Sequence, residues 1–187
     1  MIKFVRKLWR LLGLVFPVLY FFLSKAWMIG ILSFLVALFV IFEIYRYKKI
    51  EFNKKFFKKY KFILKLSEKN RMLSATWFMM ASLIVVVFFE RNIAILAIFF
   101  SNLGNIAAVF AGRLYGKFSF GHKNIEGSMA MLVVCVVIGL VAFFNGFIDL
   151  GVVLVGAFAA TVAELFTNGP YDNLAVAVIA GLIMSLV

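Results

Sequence analysis

Acidic residues are scarce in this chain of 187 residues, with 8 Asp and Glu against 20 Lys and Arg, so the formal net charge is +12. Charged residues of both signs make up only 15% of the sequence, and 65% of the residues are hydrophobic. Soluble domains carry about 25% charged residues. Polar side chains are therefore too few to cover a soluble fold of this length. The composition predicts an integral membrane protein with a single domain, 1–187.

Cysteine and histidine are nearly absent, with one of each, Cys135 and His122. A single cysteine forms no intramolecular disulfide, and the apolar residues around Cys135 predict a buried packing role. Without a Cys/His cluster we expect no zinc site. Basic residues before the first apolar run are typical of a signal peptide, but no small-residue cleavage site follows Phe22. We therefore expect a retained membrane anchor.

The apolar runs predict an all-α, polytopic membrane helix bundle of about seven transmembrane helices, because about 20 apolar residues are needed to cross a bilayer. Pro17 is expected to kink the first of them. The predicted spans are Leu8–Leu23, Trp27–Ile44, Met72–Phe89, Asn92–Gly112, Met129–Phe144, Phe147–Phe166 and Asn173–Val187.

The basic residues predict an orientation. If the spans alternate in direction, 18 of the 20 Lys and Arg residues lie on one side, and only Lys25 and Arg91 lie on the other. The positive-inside rule then places the N-terminus in the cytoplasm and the C-terminus outside an inner or plasma membrane. Orientation and anionic membrane lipids account for the positive charge, so nucleic acid is not expected as a partner.

The stretch 46–71 is the only long hydrophilic segment. Its aromatic residues Phe52, Phe56 and Tyr60 recur every four residues, and lysines cover much of the remaining surface. This pattern predicts a cytoplasmic basic amphipathic helix lying along anionic lipid headgroups. A solvated extension of two spanning helices is the open alternative. Glu43, just before this segment, is expected to pair with the lysines beyond it.

Two polar clusters, 112–128 and 161–174, interrupt the apolar C-terminal half. In the first, glycines allow close approach of the backbone to phosphate, and basic side chains supply charge-assisted hydrogen bonds. The cluster is not a Walker A loop. Taken alone, the spacing of Gly112 and Gly116 is more typical of helix packing. Ser128 is predicted to cap the next helix and leave N–H groups for an anion. His122 is predicted to be a surface residue or a phosphate contact.

The second cluster places a carboxylate, Glu164, inside an apolar run. A carboxylate there requires a cation, a metal ion or a proton, and pairing with a basic side chain is the open alternative. Asp172 follows a turn at Gly169–Pro170. We expect Glu126, Glu164 and Asp172 on one side of the membrane, where three carboxylates suffice for Mg²⁺ and a general base.

Four blocks in order make residues 101–180 resemble the polyprenol kinase family. This family includes dolichol kinase, phytol kinase and the fungal CTP-dependent diacylglycerol kinase. The blocks are GNIAAVFAGRLYGK at 104–117, KNIEGSMA at 123–130, ATVAE at 160–164 and DNL at 172–174.

The resemblance implies a magnesium-dependent membrane kinase. Such an enzyme transfers the γ-phosphoryl group of a nucleoside triphosphate, typically CTP, to a lipid alcohol such as a polyprenol, phytol or diacylglycerol. It implies catalytic positions at Asn105, Glu126, Glu164 and Asp172, the last three also as metal ligands. The implied nucleotide-binding residues are Gly112, Arg113, Gly116, Lys117, Lys123, Gly127, Ser128 and Asn173.

Three positions depart from the family pattern. Asn105 stands where the family has Asp, Asn124 stands where it has Ser, and Ala177 stands where it has Pro. Asn accepts no proton and binds Mg²⁺ more weakly than Asp. Two alternatives to a kinase therefore stay open: a catalytically degenerate member that binds or translocates lipid, and a CTP-dependent cytidylyltransferase.

Overall fold

The computed structural model describes residues 11–60, 64, 68–121 and 123–187. Predictions for the basic residues before position 11, for lysines 61 and 65, and for His122 lie outside these residues. The described chain forms a 3₁₀ turn (Leu12–Leu14), α1 (Val15–Phe22), α2 (Lys25–Lys48), α3 (Ile50–Lys59), α4 (Ser74–Phe88), α5 (Arg91–Phe99), a π turn (Phe100–Gly104), α6 (Asn105–Leu114), β1 (Ser119–Phe120), β2 (Lys123–Asn124), α7 (Ile125–Phe144), α8 (Leu150–Phe166) and α9 (Asp172–Met184).

Three helical segments in the described part of the chain are long and apolar enough to cross a membrane. They are Lys25–Lys48, the continuous stretch Arg91–Leu114 that contains α5, the π turn and α6, and Ile125–Phe144. Shorter apolar helices are Leu12–Phe22, Ser74–Phe88, Leu150–Phe166 and Asp172–Met184. The prediction of an all-α fold is confirmed, and at least three of its helical segments have membrane-spanning length.

Contacts between helix termini define two ends of the bundle. One end contains the N-termini of α2 and α5, and we call it the opposite end because it lies across the bundle from the polar end defined below. There Arg91 Nε donates to the Tyr20 carbonyl at 2.9 Å. Lys25 Nζ donates to the Phe89 carbonyl at 3.2 Å. These two basic side chains, which the sequence sets apart from the rest, therefore satisfy backbone carbonyls near the C-termini of α1 and α4. The end that contains the C-termini of α2, α6 and α8 is the polar end.

The centre of the bundle is α5. Residues 93–98 are all buried, and α5 packs against α1, α4 and α9. The π turn that follows packs against α7, α8 and α9. Cys135 of α7 is fully buried in this core, so its predicted packing role is confirmed.

Glycines permit the closest helix crossings. A Cβ added to Gly127 of α7 would lie 2.6 Å from the carbonyl oxygen of Ala108 in α6. A Cβ added to Gly112 would lie 3.6 Å from Gly127 Cα. The backbones of α6 and α7 therefore meet at these glycines, as small residues allow in membrane helix pairs.

Several predicted boundaries are wrong. α2 continues through Lys48 instead of ending at Ile44, and among the described residues of the segment 46–71 the next helix spans Ile50–Lys59. α7 begins at Ile125 instead of Met129, with Asn124 at the N-cap position, so Ser128 is not the cap. Hydropathy misplaces these termini because the first or last turn of a helix tolerates polar side chains, and an acidic residue such as Glu126 suits an N-terminus.

Candidate functional site

The most buried charged group in the C-terminal half is a cluster around Lys123 at the polar end. Lys123 Nζ lies 2.5 Å from Glu164 Oε1 and 3.2 Å from Asp172 Oδ2. Glu164 is 2% exposed and lies two residues before the end of α8. The start of α7, the end of α8 and the start of α9 therefore converge on one ammonium group. Of the sequence alternatives for Glu164, pairing with a basic side chain is the arrangement observed.

Two further contacts extend this Lys123 cluster. The buried Ser128 hydroxyl donates to Glu164 Oε2 at 3.1 Å, so both oxygens of that carboxylate are engaged. Asn105 Nδ2, just after the π turn, donates to Asn173 Oδ1 at 2.7 Å, beside Asp172 in the chain. With all three charged groups ionised, Lys123, Glu164 and Asp172 carry a formal charge of −1.

Glu126 belongs to a neighbouring group instead of the Lys123 cluster. Its Oε1 accepts backbone N–H bonds from Lys117 at 2.9 Å and Phe118 at 3.0 Å. These bonds hold the end of α6 and the short β1–β2 hairpin against the first turn of α7. Among the described residues no hydrogen bond or ion pair links Glu126 to Glu164 or to Asp172. The predicted carboxylates thus share one end of the bundle but form two groups.

The glycines assigned to phosphate by the resemblance mostly face protein. A Cβ on Gly116 would overlap the Asn124 side chain, whose Nδ2 donates to the Gly112 carbonyl at 2.6 Å. Asn124, a departure from the family pattern, therefore fastens β2 to the end of α6. Arg113 and Lys117 are exposed, and their side chains make no hydrogen bond within the described part of the chain. Both lie at the polar end, Arg113 in the last turn of α6 and Lys117 between α6 and β1.

The carboxylates do not fit a three-ligand magnesium site in this arrangement. Lys123 lies between Glu164 and Asp172, and the Glu126 carboxylate is turned to backbone N–H groups. In the part of the chain that the structure describes, no three His, Cys, Asp or Glu side chains are placed to hold a metal ion.

A second buried polar network at the polar end surrounds Arg46, which has no exposed surface. Its Nε donates to Glu43 Oε2 at 3.0 Å and its Nη1 donates to Asn53 Oδ1 at 3.1 Å. The predicted pairing of Glu43 with lysines is wrong, because Arg46 is one helical turn away and presents a planar pair of donors. The spacing of Glu43 and Arg46 was the sequence signal for this pair. The guanidinium also binds the carbonyls of Glu68, Lys69 and Arg71.

An apolar cavity of about 300 Å³ lies between α1, α5 and α7. Its walls include Phe21, Leu96, Phe99 and Ile138, and Asn92 and Asn145 lie toward the opposite end. The cavity shares no residue with the Lys123 cluster.

Comparison of the chain with protein-family models, with curated proteins and with solved structures finds no match. The resemblance to the polyprenol kinase family thus stays a prediction that rests on the four sequence blocks.

Proposed function

We propose that this protein is a membrane lipid kinase whose reacting end is the Lys123 cluster. Seven helices cross the bilayer in this proposal, with the N-terminus and the polar end in the cytoplasm, where nucleoside triphosphates are available. The observation that carries the proposal is the buried Glu164 carboxylate held between Lys123 and Ser128 at 2.5 and 3.1 Å. Ionisable side chains within an apolar helix bundle are rare and mark candidate functional sites.

Each side chain then has a task. The exposed Arg113 and Lys117 bind the phosphates of the nucleotide through charge-assisted hydrogen bonds. The resemblance implies that this nucleotide is CTP. The lipid alcohol reaches the cluster sideways from the bilayer. Its oxygen attacks the γ-phosphorus, the bond from that phosphorus to the bridging oxygen of the β-phosphate breaks, and Glu164 takes the proton of the alcohol. Lys123 stays beside the transferring group as its charge develops.

The resemblance supplies Mg²⁺ as the expected cofactor, although the carboxylates do not form a three-ligand site. Dependence on the metal is therefore tested separately. Activity with Mg²⁺ that EDTA abolishes supports the cofactor. Equal activity with Mg²⁺ and with EDTA would show that the proposed kinase does not require Mg²⁺.

A non-catalytic lipid-binding or lipid-translocating protein is the second candidate. The observation that favours it is that Asn105, which stands where the family has Asp, donates its amide hydrogen bond to Asn173. If the wild-type protein is inactive and Asn105→Asp gains lipid kinase activity, this second candidate is supported.

The test is phosphorylation by purified protein reconstituted in lipid. Labelled CTP and ATP are supplied with polyprenols, phytol or diacylglycerol. We expect a labelled lipid phosphate and release of the nucleoside diphosphate. Lys123→Met and Glu164→Gln should each lower the rate by about 10²-fold or more. Lys25→Met, which removes an exposed lysine at the opposite end, should keep the wild-type rate.

Three results would overturn the proposal that the protein is a kinase. One is the absence of lipid phosphate with every nucleotide and acceptor, and another is full activity of Lys123→Met. The third is formation of a CDP-lipid with release of pyrophosphate when a lipid phosphate is supplied as the acceptor, which identifies a cytidylyltransferase instead. Thermal unfolding of each variant in detergent shows whether a lost rate reflects a lost fold.

A further inference from the structure

The short helix α3 presents three distinct faces. Asn53 and Phe57, one turn apart, are buried against Arg46: Asn53 accepts the 3.1 Å hydrogen bond, and the Phe57 ring centroid lies 5.3 Å from the guanidinium carbon. Asn53 Nδ2 also donates to the Lys69 carbonyl at 2.9 Å. These contacts fix the rotation of α3 about its own axis.

The second face carries aromatic rings that pack on the last turns of α2. The Phe56 ring lies 5.1 Å from Phe42, and the Phe52 ring lies 5.1 Å from Tyr45, both as edge-to-face pairs. The predicted aromatic stripe is thus partly covered by α2 instead of being free to enter lipid. Since α2 has membrane-spanning length, this packing holds α3 level with the polar end of that helix.

The third face is strongly basic. Its four lysines are all exposed, and they form two pairs spaced by four residues, Lys54–Lys58 and Lys55–Lys59. Like charges at this spacing destabilise a helix. Only Glu51 offers a partner on α3, four residues before Lys55. The face is therefore left with an excess of positive charge that an anionic surface would neutralise.

The exposed side chains around α3 follow the pattern of a membrane interface. The final turns of α2 expose Ile41 and Ile44, then Tyr45 and Tyr47, and Ile50 at the start of α3 is 67% exposed. Apolar residues followed by tyrosines are typical of the passage from hydrocarbon to the headgroup layer.

We propose that the lysine face of α3 is a binding site for anionic lipid headgroups of the adjacent leaflet. The lysines bind the phosphates of several lipids, while the Arg46 network and the rings on α2 hold the helix in place. Polybasic segments beside a spanning helix are attracted to anionic bilayers in this way. The site is separate from the Lys123 cluster and does not depend on kinase activity.

The test measures the unfolding temperature of the purified full chain in micelles as phosphatidylglycerol replaces phosphatidylcholine at constant total lipid. Wild type should gain several degrees with phosphatidylglycerol. The quadruple variant K54Q/K55Q/K58Q/K59Q should lose most of that gain, and the same four lysines changed to Arg should keep it. Raising the salt to about 1 M, where the screening length is about 3 Å, should remove it.

The matched control is K25Q/R71Q/R113Q/K117Q, which removes four exposed basic side chains outside α3 and lowers the net charge equally. It should retain most of the gain. An equal loss of the temperature gain in both quadruple variants would show a general effect of net charge and would overturn the proposed lipid site. So would an equal gain with inorganic phosphate alone, or no gain in wild type.

Discussion

At the scale of single residues, Arg46 shows how a buried charge is tolerated. The side chain is fully buried, but it binds one carboxylate, one amide and three backbone carbonyls. Glu43 is equally engaged, since its other oxygen accepts from Leu73 N at 2.7 Å and from Thr76 Oγ1 at 3.2 Å. The pair therefore joins the end of α2 to the start of α4.

Arg46→Met should strongly destabilise the protein. The substitution leaves the 2% exposed Glu43 without its cation and several carbonyls without donors. Removing one partner of a buried ion pair costs about 3–5 kcal/mol. The free energy of unfolding, from denaturation in mixed detergent micelles, measures this loss.

Arg71→Met is the control, because Arg71 contributes only its backbone carbonyl to the network and its side chain is exposed. Its cost should stay within about 0.5 kcal/mol, as for most surface substitutions. Similar free energies of unfolding for the two variants would contradict the structural role given to Arg46.

At the scale of helices, close crossings position the candidate site. α6 and α7 meet at Gly112 and Gly127, and the π turn before α6 brings Asn105 to Asn173 of α9. Single-turn π distortions are frequent at functional sites. An ordinary α-helical turn at 100–104 would rotate Asn105 away from its present direction, so this irregular element determines part of the site.

Gly127→Ala should separate α6 from α7. The new methyl group would lie 2.6 Å from the Ala108 carbonyl, which is backbone and cannot rotate away. Overpacking of this kind costs about 1–3 kcal/mol, and we expect a lower unfolding temperature.

Gly30→Ala in α2 is the matched change, since nothing lies within 4 Å of the added carbon. Alanine is favoured over glycine in a helix by about 1 kcal/mol. This variant should be at least as stable as wild type. A Gly127→Ala protein with unchanged unfolding temperature would show that the helices separate without cost.

At the scale of the whole molecule, charge is divided between the two ends. Lys25 and Arg91 lie at the opposite end and are occupied by backbone carbonyls. The Lys123 cluster, the Arg46 network and the lysines of α3 all lie at the polar end. This asymmetry is the physical basis for the proposed orientation.

Cysteine labelling checks that orientation. In a Cys135→Ser background, single cysteines replace the exposed Lys58 of α3 or the exposed Asp149 before α8. A membrane-impermeant thiol reagent applied to intact cells should label the cysteine at 149 and not the one at 58. Permeabilised cells should label both. The reverse pattern in intact cells would place the polar end outside.

Hydropathy and charge counting were sufficient to predict the helices. Every apolar run must either be buried in the protein or face hydrocarbon, whichever segments lie next to it. Within the part of the chain that the structure describes, they located seven apolar helical segments to within a few residues. They also set Lys25 and Arg91 apart from the other basic residues. They also showed that Glu164 needs a partner. These properties depend on local composition, so no contact between distant residues is required to state them.

Tertiary packing alone decided which partners meet. Lys123 reaches Glu164 and Asp172 across 41 and 49 residues of chain, whereas Glu126, only three residues from Lys123, turns to the backbone of 117–118. The sequence near Lys123 does not indicate whether its ammonium group will pair with Glu126 or with a carboxylate far along the chain. That choice follows from where α7, α8 and α9 cross, and the crossings depend on the glycines and the π turn.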